Sequence, residues 1–240
     1  MTSSERKLLL EGSQLLGIQI NNEQADTFLK YMETLLEWNK RINITSITDT
    51  KQFIIKHFLD SLSCIMSFNF SNREKVIDIG TGGGFPGIPI KIMMPETKLT
   101  LLDSTRKRII FLEALIEELK LHDVLLIHGR AEDYGKESLY REQYDVAVSR
   151  AVAPLKILYE YCLPFVKEGG IFIAQKSADV ETELREGERA LKILGGQVEQ
   201  KIDIELPFGG GGRSIIIVRK INKTPNKYPR RVGIPQKRPL

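Results

Sequence analysis

Residues 76–90, VIDIGTGGGFPGIPI, put Asp78 in an apolar run and follow it with four glycines, Gly80, Gly82, Gly83 and Gly84, within five residues. No other stretch restricts the fold as tightly. Val76-Ile77-Asp78-Ile79 predicts a buried strand bounded by turn residues, and Pro86 to Met94 predicts a short helix stopped by Pro95. The glycines therefore occupy a strand-to-helix turn. Glycine there permits positive φ and lets a ligand approach the main chain with no Cβ in the way, while a helix N-terminus favours electron-rich groups. The turn is expected to hold a bound molecule.

The surrounding pattern predicts an α/β fold. Upstream, Asn21 or Asn22 can cap a helix carrying Phe28, Leu29, Met32, Leu35 and Leu36, and Thr50 can cap another carrying Phe53, Ile54, Phe58, Leu62, Ile65 and Met66. From Val76 onward, apolar strands near 76–79, 99–102, 124–128, 144–148 and 170–174 alternate with helices near 86–94, 104–120, 154–166 and 179–194. Such alternation implies a mostly parallel sheet with helices on both faces. Strands near 198–206 and 214–219 flank Pro207-Phe208-Gly209-Gly210-Gly211-Gly212 with no helix between them, which predicts a terminal antiparallel hairpin. The expected organisation is an N-terminal helical cap over 1–72, a ligand-binding domain over 73–222 and a basic, proline-rich tail over 223–240.

Composition narrows the function classes. With 240 residues and 42% hydrophobic content the chain can bury a full core. No basic segment with an apolar core opens it and no apolar run is long enough to span a bilayer, so a cytoplasmic location without membrane contact is expected. Cys64 and Cys162 lack companions at metal-ligand spacing, so neither a metal nor a disulfide is expected, and both read as reduced core residues. Asn43-Ile44-Thr45 and Asn69-Phe70-Ser71 match the glycosylation pattern, which has no physical meaning without a secretory signal. The formal charge of +4 is uneven, since residues 213–240 carry nine Lys or Arg and no acid, leaving 26 basic against 31 acidic residues elsewhere. A basic arm on an acidic body, interleaved with Tyr228 and stiffened by Pro225, Pro229, Pro235 and Pro239, suggests a polyanionic partner such as nucleic acid. Arg230, Arg231, Lys237 and Arg238 are its candidate phosphate contacts.

Two ligand classes use such a glycine turn. Gly82-x-Gly84-x-x-Gly87, with Asp103 at the end of the next strand, fits a dinucleotide fingerprint. However, no Tyr is followed four residues later by Lys, the pair a short dehydrogenase would use, and no second substrate domain follows. The other match, Asp78-x-Gly80-x-Gly82-x-Gly84, resembles motif I of the class I S-adenosylmethionine methyltransferases. An acid in the turn suits a ligand bearing an ammonium and a sulfonium and would repel a pyrophosphate. In that reading Asp103 accepts hydrogen bonds from ribose hydroxyls, while Ser104 and Thr105 open the following helix, where capping is an equally good account of Ser104.

Further runs, WNKRINIT (38–45), HFLDSL (57–62), LLDSTRKRIIFL (101–112), GRAED (129–133), SRAVAPL (149–155) and PRRVGIPQKRPL (229–240), extend the likeness over nearly the whole chain. Together they resemble the bacterial family of the glucose-inhibited division protein B, which methylates guanine N7 in the decoding region of small-subunit ribosomal RNA. The resemblance implies a class I, Rossmann-like methyltransferase fold and S-adenosyl-L-methionine as cofactor. It places cofactor contacts on Gly80, Phe85, Asp103, Ser104, Thr105, Ala131, Glu132 and Arg150, beside Asp78 and Gly82 of the motif. The implied partner is small-subunit rRNA or a ribosomal particle, met by a monomer.

Missing motifs agree with that target. There is no Pro-Cys pair for attack at a pyrimidine carbon and no Asn-Pro-Pro-aromatic run of the exocyclic-amine enzymes. Guanine N7 already carries a lone pair, so positioning and electrostatics suffice and no general base is needed. Arg150 and Lys176 each end a predicted parallel strand, where ligands of open α/β sheets gather, and are the candidate catalytic pair. Lys107 and Arg130 are further RNA-binding candidates, although Lys107 can equally be a solvated helix residue and Arg130 can pair with Glu132 or Asp133. His57, Asp60 and Ser61 share a helix face and read as a structural hydrogen-bond set. Trp38 reads as core, and Phe85 can be either core or cofactor contact. Two other classes stay open at this level, a nucleotide-binding dehydrogenase and a non-catalytic ribosome-assembly factor that binds RNA.

Overall fold

The computed structural model describes residues 3–66, 73–150 and 152–240. The glycosylation pattern at 69–71 and the expected 72/73 domain boundary lie outside the described residues.

Helices α1 (Ser3–Leu15) and α2 (Asn22–Asn39) precede α3 (Thr50–Phe53), which runs through a π-helical turn, Ile54–Leu59, into α4 (Asp60–Met66). Asn21 caps α2 with a reciprocal capping box to Gln24, because its carboxamide accepts the Gln24 N–H at 2.8 Å while Gln24 Oε1 accepts its own N–H at 3.0 Å. The cap of α3 is Asp49 and not Thr50, since the Asp49 carboxylate accepts the Gln52 N–H at 2.8 Å. Strands and helices then alternate as β1 (Lys75–Ile79), α5 (Gly87–Met93), β2 (Lys98–Asp103), α6 (Arg106–Glu118), β3 (Val124–His128), α7 (Ala131–Tyr134), β4 (Tyr144–Arg150), α8 (Leu155–Cys162), β5 (Val166–Ser177) and α9 (Glu181–Ile193). Strands β6 (Gly196–Leu206) and β7 (Gly211–Lys220) form the hairpin, and a single turn, α10 (Ile234–Lys237), follows.

Among the described residues the strands form one seven-stranded sheet in the order β3-β2-β1-β4-β5-β7-β6. The first five are parallel, and β7 is antiparallel to both β5 and β6. Period-two alternation sends side chains to two separate cores. Val76, Val146, Val148, Ile171, Ile173, Ile215 and Ile217 pack against α1 to α6 on one face. Ile77, Ile79, Ala147, Phe172, Ala174, Ile216 and Val218 pack against α7 to α9 on the other. The N-terminal helices thus share a continuous core with the sheet. Trp38 joins that core edge-on to Phe111, and Cys64 and Cys162 are buried thiols, the first donating to Gln175 Oε1 at 3.6 Å.

The parallel strands end at Asp103, Arg150 and Ser177 on one edge of the sheet. Because β7 runs the other way, its first residues reach the same edge, where Arg213 lies opposite Ser177 and Ser214 opposite Lys176. The sheet edge thereby collects charged side chains from β2, β4, β5 and β7.

Candidate active site

The turn after β1 is held from behind. Gly80, Gly82 and Gly84 have φ of 73°, 59° and 98°, which only glycine adopts freely, and a Cβ on Gly80 would lie 2.5 Å from Val152 Cγ2. Asp78 is fully buried. Its Oδ2 accepts the Thr81 hydroxyl at 2.7 Å and the Gly87 N–H at 2.8 Å, while Oδ1 has no protein partner. The sequence expected Asp78 to meet a cationic ligand directly. In the structure its Oδ2 braces the turn by tying its start to the first residue of α5.

Burial pushes the Asp78 carboxyl up to about 7, against the pull of its two hydrogen bonds. A folded-state pKa above the unfolded one means that this group's stabilising contribution is full below its ordinary value of 3.8 and is lost as pH rises through about 7. Asp78→Asn, which cannot ionise, is expected to fold and to lose less melting temperature than the parent between pH ~5 and ~8. Parallel melting curves for the two proteins across that range would contradict this assignment.

In front of the turn lies a cavity of about 380 Å³, lined by Gly80, Gly82, Phe85, Asp103, Ser104 and Arg150 among others. Asp103 is only 3% exposed at its side chain. Its Oδ2 accepts the Gly82 N–H at 2.9 Å and Arg108 Nη1–H at 3.4 Å, and its Oδ1 accepts the Thr105 N–H at 2.8 Å. The carboxylate thus locks the glycine turn to the start of α6. Thr105 is the N-cap residue of α6 without a side-chain cap bond, and Ser104 lies exposed beside it. Ala131 and Glu132 are buried in α7 and do not line this cavity, and Glu132 Oε1 accepts the Gly233 N–H at 3.0 Å.

A second cavity, of about 490 Å³, opens beside the first and shares His57 and Arg150 with it as a common wall. Arg150 Nη1 donates to the carbonyl of Lys56 at 3.1 Å and to Asp60 Oδ2 at 3.3 Å, and its Nη2 donates to His57 Nδ1 at 3.1 Å. A guanidinium can only donate, so His57 Nδ1 is an acceptor and the ring's hydrogen sits on Nε2, which donates to Thr45 Oγ1 at 2.8 Å. Thr45 is placed by Asn39, whose side chain accepts the Ile44 and Thr45 N–H groups and donates to the Thr45 carbonyl. The His57 ring stacks on Phe85 at 4.6 Å, and Arg150 lies 4.8 Å from the centre of the same ring. Burial, and then Arg150, lower the His57 pKa to about 3, so the imidazole is neutral. The π-helical turn carries His57, a common setting for π-bulges at functional positions.

Four basic residues, Lys56, Arg150, Lys176 and Arg213, line the second cavity around Asp60. Asp60, 5% exposed, also accepts Arg213 Nε–H at 2.9 Å and Gln175 Nε2–H at 2.7 Å through Oδ1. Burial raises the Asp60 pKa, and the two guanidiniums oppose that rise. Lys176 donates to the Ala153 carbonyl at 3.0 Å and pairs with Glu183 at 2.8 Å. Ser61 turns back to the His57 carbonyl, 2.6 Å away.

The structure thus brings Arg150 and Lys176 into one cavity and gives His57 and Asp60 a larger part than a helix-face hydrogen-bond set. Arg213 was missed by the sequence reading for a topological reason. A search of strand carboxyl ends overlooks the amino end of an antiparallel strand, although a basic residue directly after a glycine run marked the spot. Lys107 and Arg130 are exposed near this edge. The expected tail contacts divide. Arg231, Lys237 and Arg238 are exposed, whereas Arg230 forks onto the buried Glu160, with Nε–Oε1 at 2.9 Å and Nη2–Oε2 at 2.6 Å. Among the described residues no cluster of His, Cys, Asp or Glu could hold a metal ion, and no helix is long and apolar enough to cross a membrane.

Comparison with known proteins bears on the fold and the family. Solved structures with the same fold include NSun6 from Pyrococcus horikoshii with SFG, at a TM-score of 0.54 and 16% identity over 75% of this chain and 57% of that one. TYW2 of M. jannaschii in complex with AdoMet matches at a TM-score of 0.50 and 14% identity over 64% and 70% of the two chains. At such identities the likeness speaks to the class I methyltransferase fold alone. Sequence relatives are far nearer. The ribosomal RNA small subunit methyltransferase G of Alkaliphilus oremlandii is 52% identical over 98% of both chains. That of Thermoanaerobacter sp. is 49% identical over 100% of both. The family model described as GidB, rRNA small subunit methyltransferase G, matches residues 24–206. The chain belongs to the rRNA small subunit methyltransferase G family.

Proposed function

We propose that the chain transfers the methyl group of S-adenosylmethionine to N7 of a guanine in the decoding region of small-subunit (16S) ribosomal RNA. The observation that carries this reading is the pair of cavities sharing the His57–Arg150 wall, one beside a glycine turn and the other ringed by basic side chains. The first fits the cofactor. Its floor is a turn that a Cβ at Gly80 would obstruct, and the Asp103 carboxylate has acceptor capacity left on Oδ1 for a ribose hydroxyl. Both cavities fall within the usual size range of small-molecule sites. When bound, the cofactor supplies an electrophilic methyl carbon on a sulfonium.

The protein's own contribution is positioning and charge. Phe85 lines the first cavity and is held by stacking against both His57 and Tyr31. Arg150, Lys176 and Arg213 offer donors to guanine O6 or a phosphate in the second. Among the described residues that line the second cavity, the Asp60 carboxylate is taken up by Arg150, Arg213 and Gln175. His57, the nearest imidazole, is neutral, but its acceptor nitrogen is already filled by Arg150. N7 needs no deprotonation, so this arrangement suits it. A monomer suffices, because residues of one chain line both cavities, and a cytoplasmic location accompanies a ribosomal substrate.

The reading is tested by incubating the protein with methyl-labelled S-adenosylmethionine and small-subunit rRNA, naked and as ribosomal particles, then mapping the product. Label at a guanine N7 of the decoding region is expected. Label on a pyrimidine carbon or an exocyclic amine, or none with either substrate, would overturn it.

A further inference from the structure

The segment that follows β7 carries a run of basic residues, yet its contacts point inward. Lys220 is fully buried and donates to the Leu163 carbonyl at 2.5 Å and to Thr224 Oγ1 at 2.6 Å. Thr224 N–H donates in turn to Glu142 at 2.8 Å. Arg141 acts as a staple, with Nη1 donating to the carbonyls of Gly135 at 2.9 Å and Tyr228 at 2.8 Å, and Nη2 to that of Thr224 at 2.6 Å. Tyr228 is 7% exposed. Beyond it, Arg230 forks onto Glu160, which is 1% exposed, and its Nη1 also donates to the Arg238 carbonyl at 2.7 Å, folding the end of the chain back. Finally, Gly233, at a φ of 78°, donates its N–H to Glu132.

One of these contacts falls on the short α7, at Glu132, and Arg141 ties the segment to Gly135, the C-cap residue of that helix; α7 leads to the cofactor cavity. Tyr134 fills the space under Gly129, where a Cβ would approach its ring to 2.2 Å, and its hydroxyl donates to the His128 carbonyl at 3.4 Å. Gly129 N–H donates to the Asp103 carbonyl at 3.0 Å, and His128 Nε2–H donates to that of Ser104 at 3.2 Å. Asp103 and Ser104 line the cavity. A helix of one turn has no cooperative stability of its own, so its order comes from what packs against it.

We infer that residues 221–240 form a latch that holds α7, and through it the Asp103–Ser104 turn, in the geometry that binds the cofactor. Arg230 is its central positioning residue. This deepens the function proposed above and rests on it. A free basic arm would use Arg230 as a charge, so Lys would serve as well. A latch uses it as a planar fork, which Lys cannot reproduce.

The experiment is calorimetric titration of S-adenosylmethionine into the full-length protein, Arg230→Lys, Glu160→Gln and Lys223→Gln, with circular dichroism melts of each and the salt dependence of rRNA binding. Arg230→Lys and Glu160→Gln are expected to raise the cofactor Kd ~3- to 30-fold, the range for changes that act on a site through intervening packed residues. The salt slope of RNA affinity should hold for Arg230→Lys, which keeps its charge. Lys223→Gln, which removes an exposed charge from the latch, should leave the cofactor Kd unchanged. A folded Arg230→Lys with parental cofactor affinity would overturn the latch. Should either variant fail to fold, hydrogen exchange on the unaltered protein decides. Added cofactor should slow exchange of backbone amides in 228–238, and unchanged exchange there overturns the latch equally. Failure of the unaltered protein to bind the cofactor would count against the proposed function itself.

Discussion

Arg150→Ala should reduce single-turnover methyl transfer by ~10² or more, the size of effect expected when a positioning contact is lost. The side chain is anchored on the carbonyl of Lys56, on Asp60 and on His57, and it faces Phe85, so it fixes the wall between the two cavities. Its removal leaves His57 Nδ1 without a donor and leaves Asp60 with Arg213 as its remaining ion-pair partner. Both cavities should therefore suffer, with a raised cofactor Kd beside the slower transfer. Arg150→Lys should rescue little, because an ammonium cannot serve the fork of acceptors that a guanidinium bridges. Lys176→Ala is the informative partner. Lys176 lines only the basic cavity, so its loss should lower transfer while cofactor affinity stays near that of the parent. Near-normal turnover in both variants would remove this wall from the mechanism.

Asp103→Ala should weaken cofactor binding on the order of 10²-fold even before any contact to the ribose is counted. The carboxylate satisfies the backbone N–H groups of Gly82 and Thr105 in a setting where it is 3% exposed. Leaving two such donors unpaired costs about 1 to 3 kcal/mol each, and the glycine turn loses its tie to α6. Asp103→Asn retains one acceptor oxygen and should fall between the two. Cofactor titration at constant salt measures the series, with melting curves to confirm folding. Equal affinities across the three proteins would separate Asp103 from the cofactor site.

Much of this was legible in the sequence because strands and turns announce themselves locally. Val76–Ile79 and the glycines after it specify a strand and a turn with no help from distant residues, and the alternating segments that follow specify the parallel sheet. The hairpin was equally plain from two strand patterns without a helix between them. What the sequence could not express was direction. Asp78 stands in the motif as though offered to a ligand, yet the strand's pleat turns it inward toward Thr81 and Gly87. Arg230 stands in a basic run as though offered to solvent, yet Glu160, distant in sequence, claims it. His57 and Arg150 are separated by a large stretch of chain, and only the close approach of the π-helical turn to the end of β4 makes them one wall. Burial and pairing between remote residues decide such cases, and neither leaves a local signature.

The place of β7 in the sheet also has a consequence for synthesis. It lies between β5 and β6 although the ribosome makes it after both, so the growing chain must hold a gap for it. Until Ile215–Val218 emerge, β5 presents an unpaired edge, the kind of surface that invites wrong partners. Arg213 arrives on the same strand and completes the basic cavity. The basic cavity is therefore among the last features whose residues a newly made copy receives, long after those of the glycine turn. A chain released before that point would carry the glycine turn and an exposed strand edge, but neither Arg213 nor the segment that packs on α7.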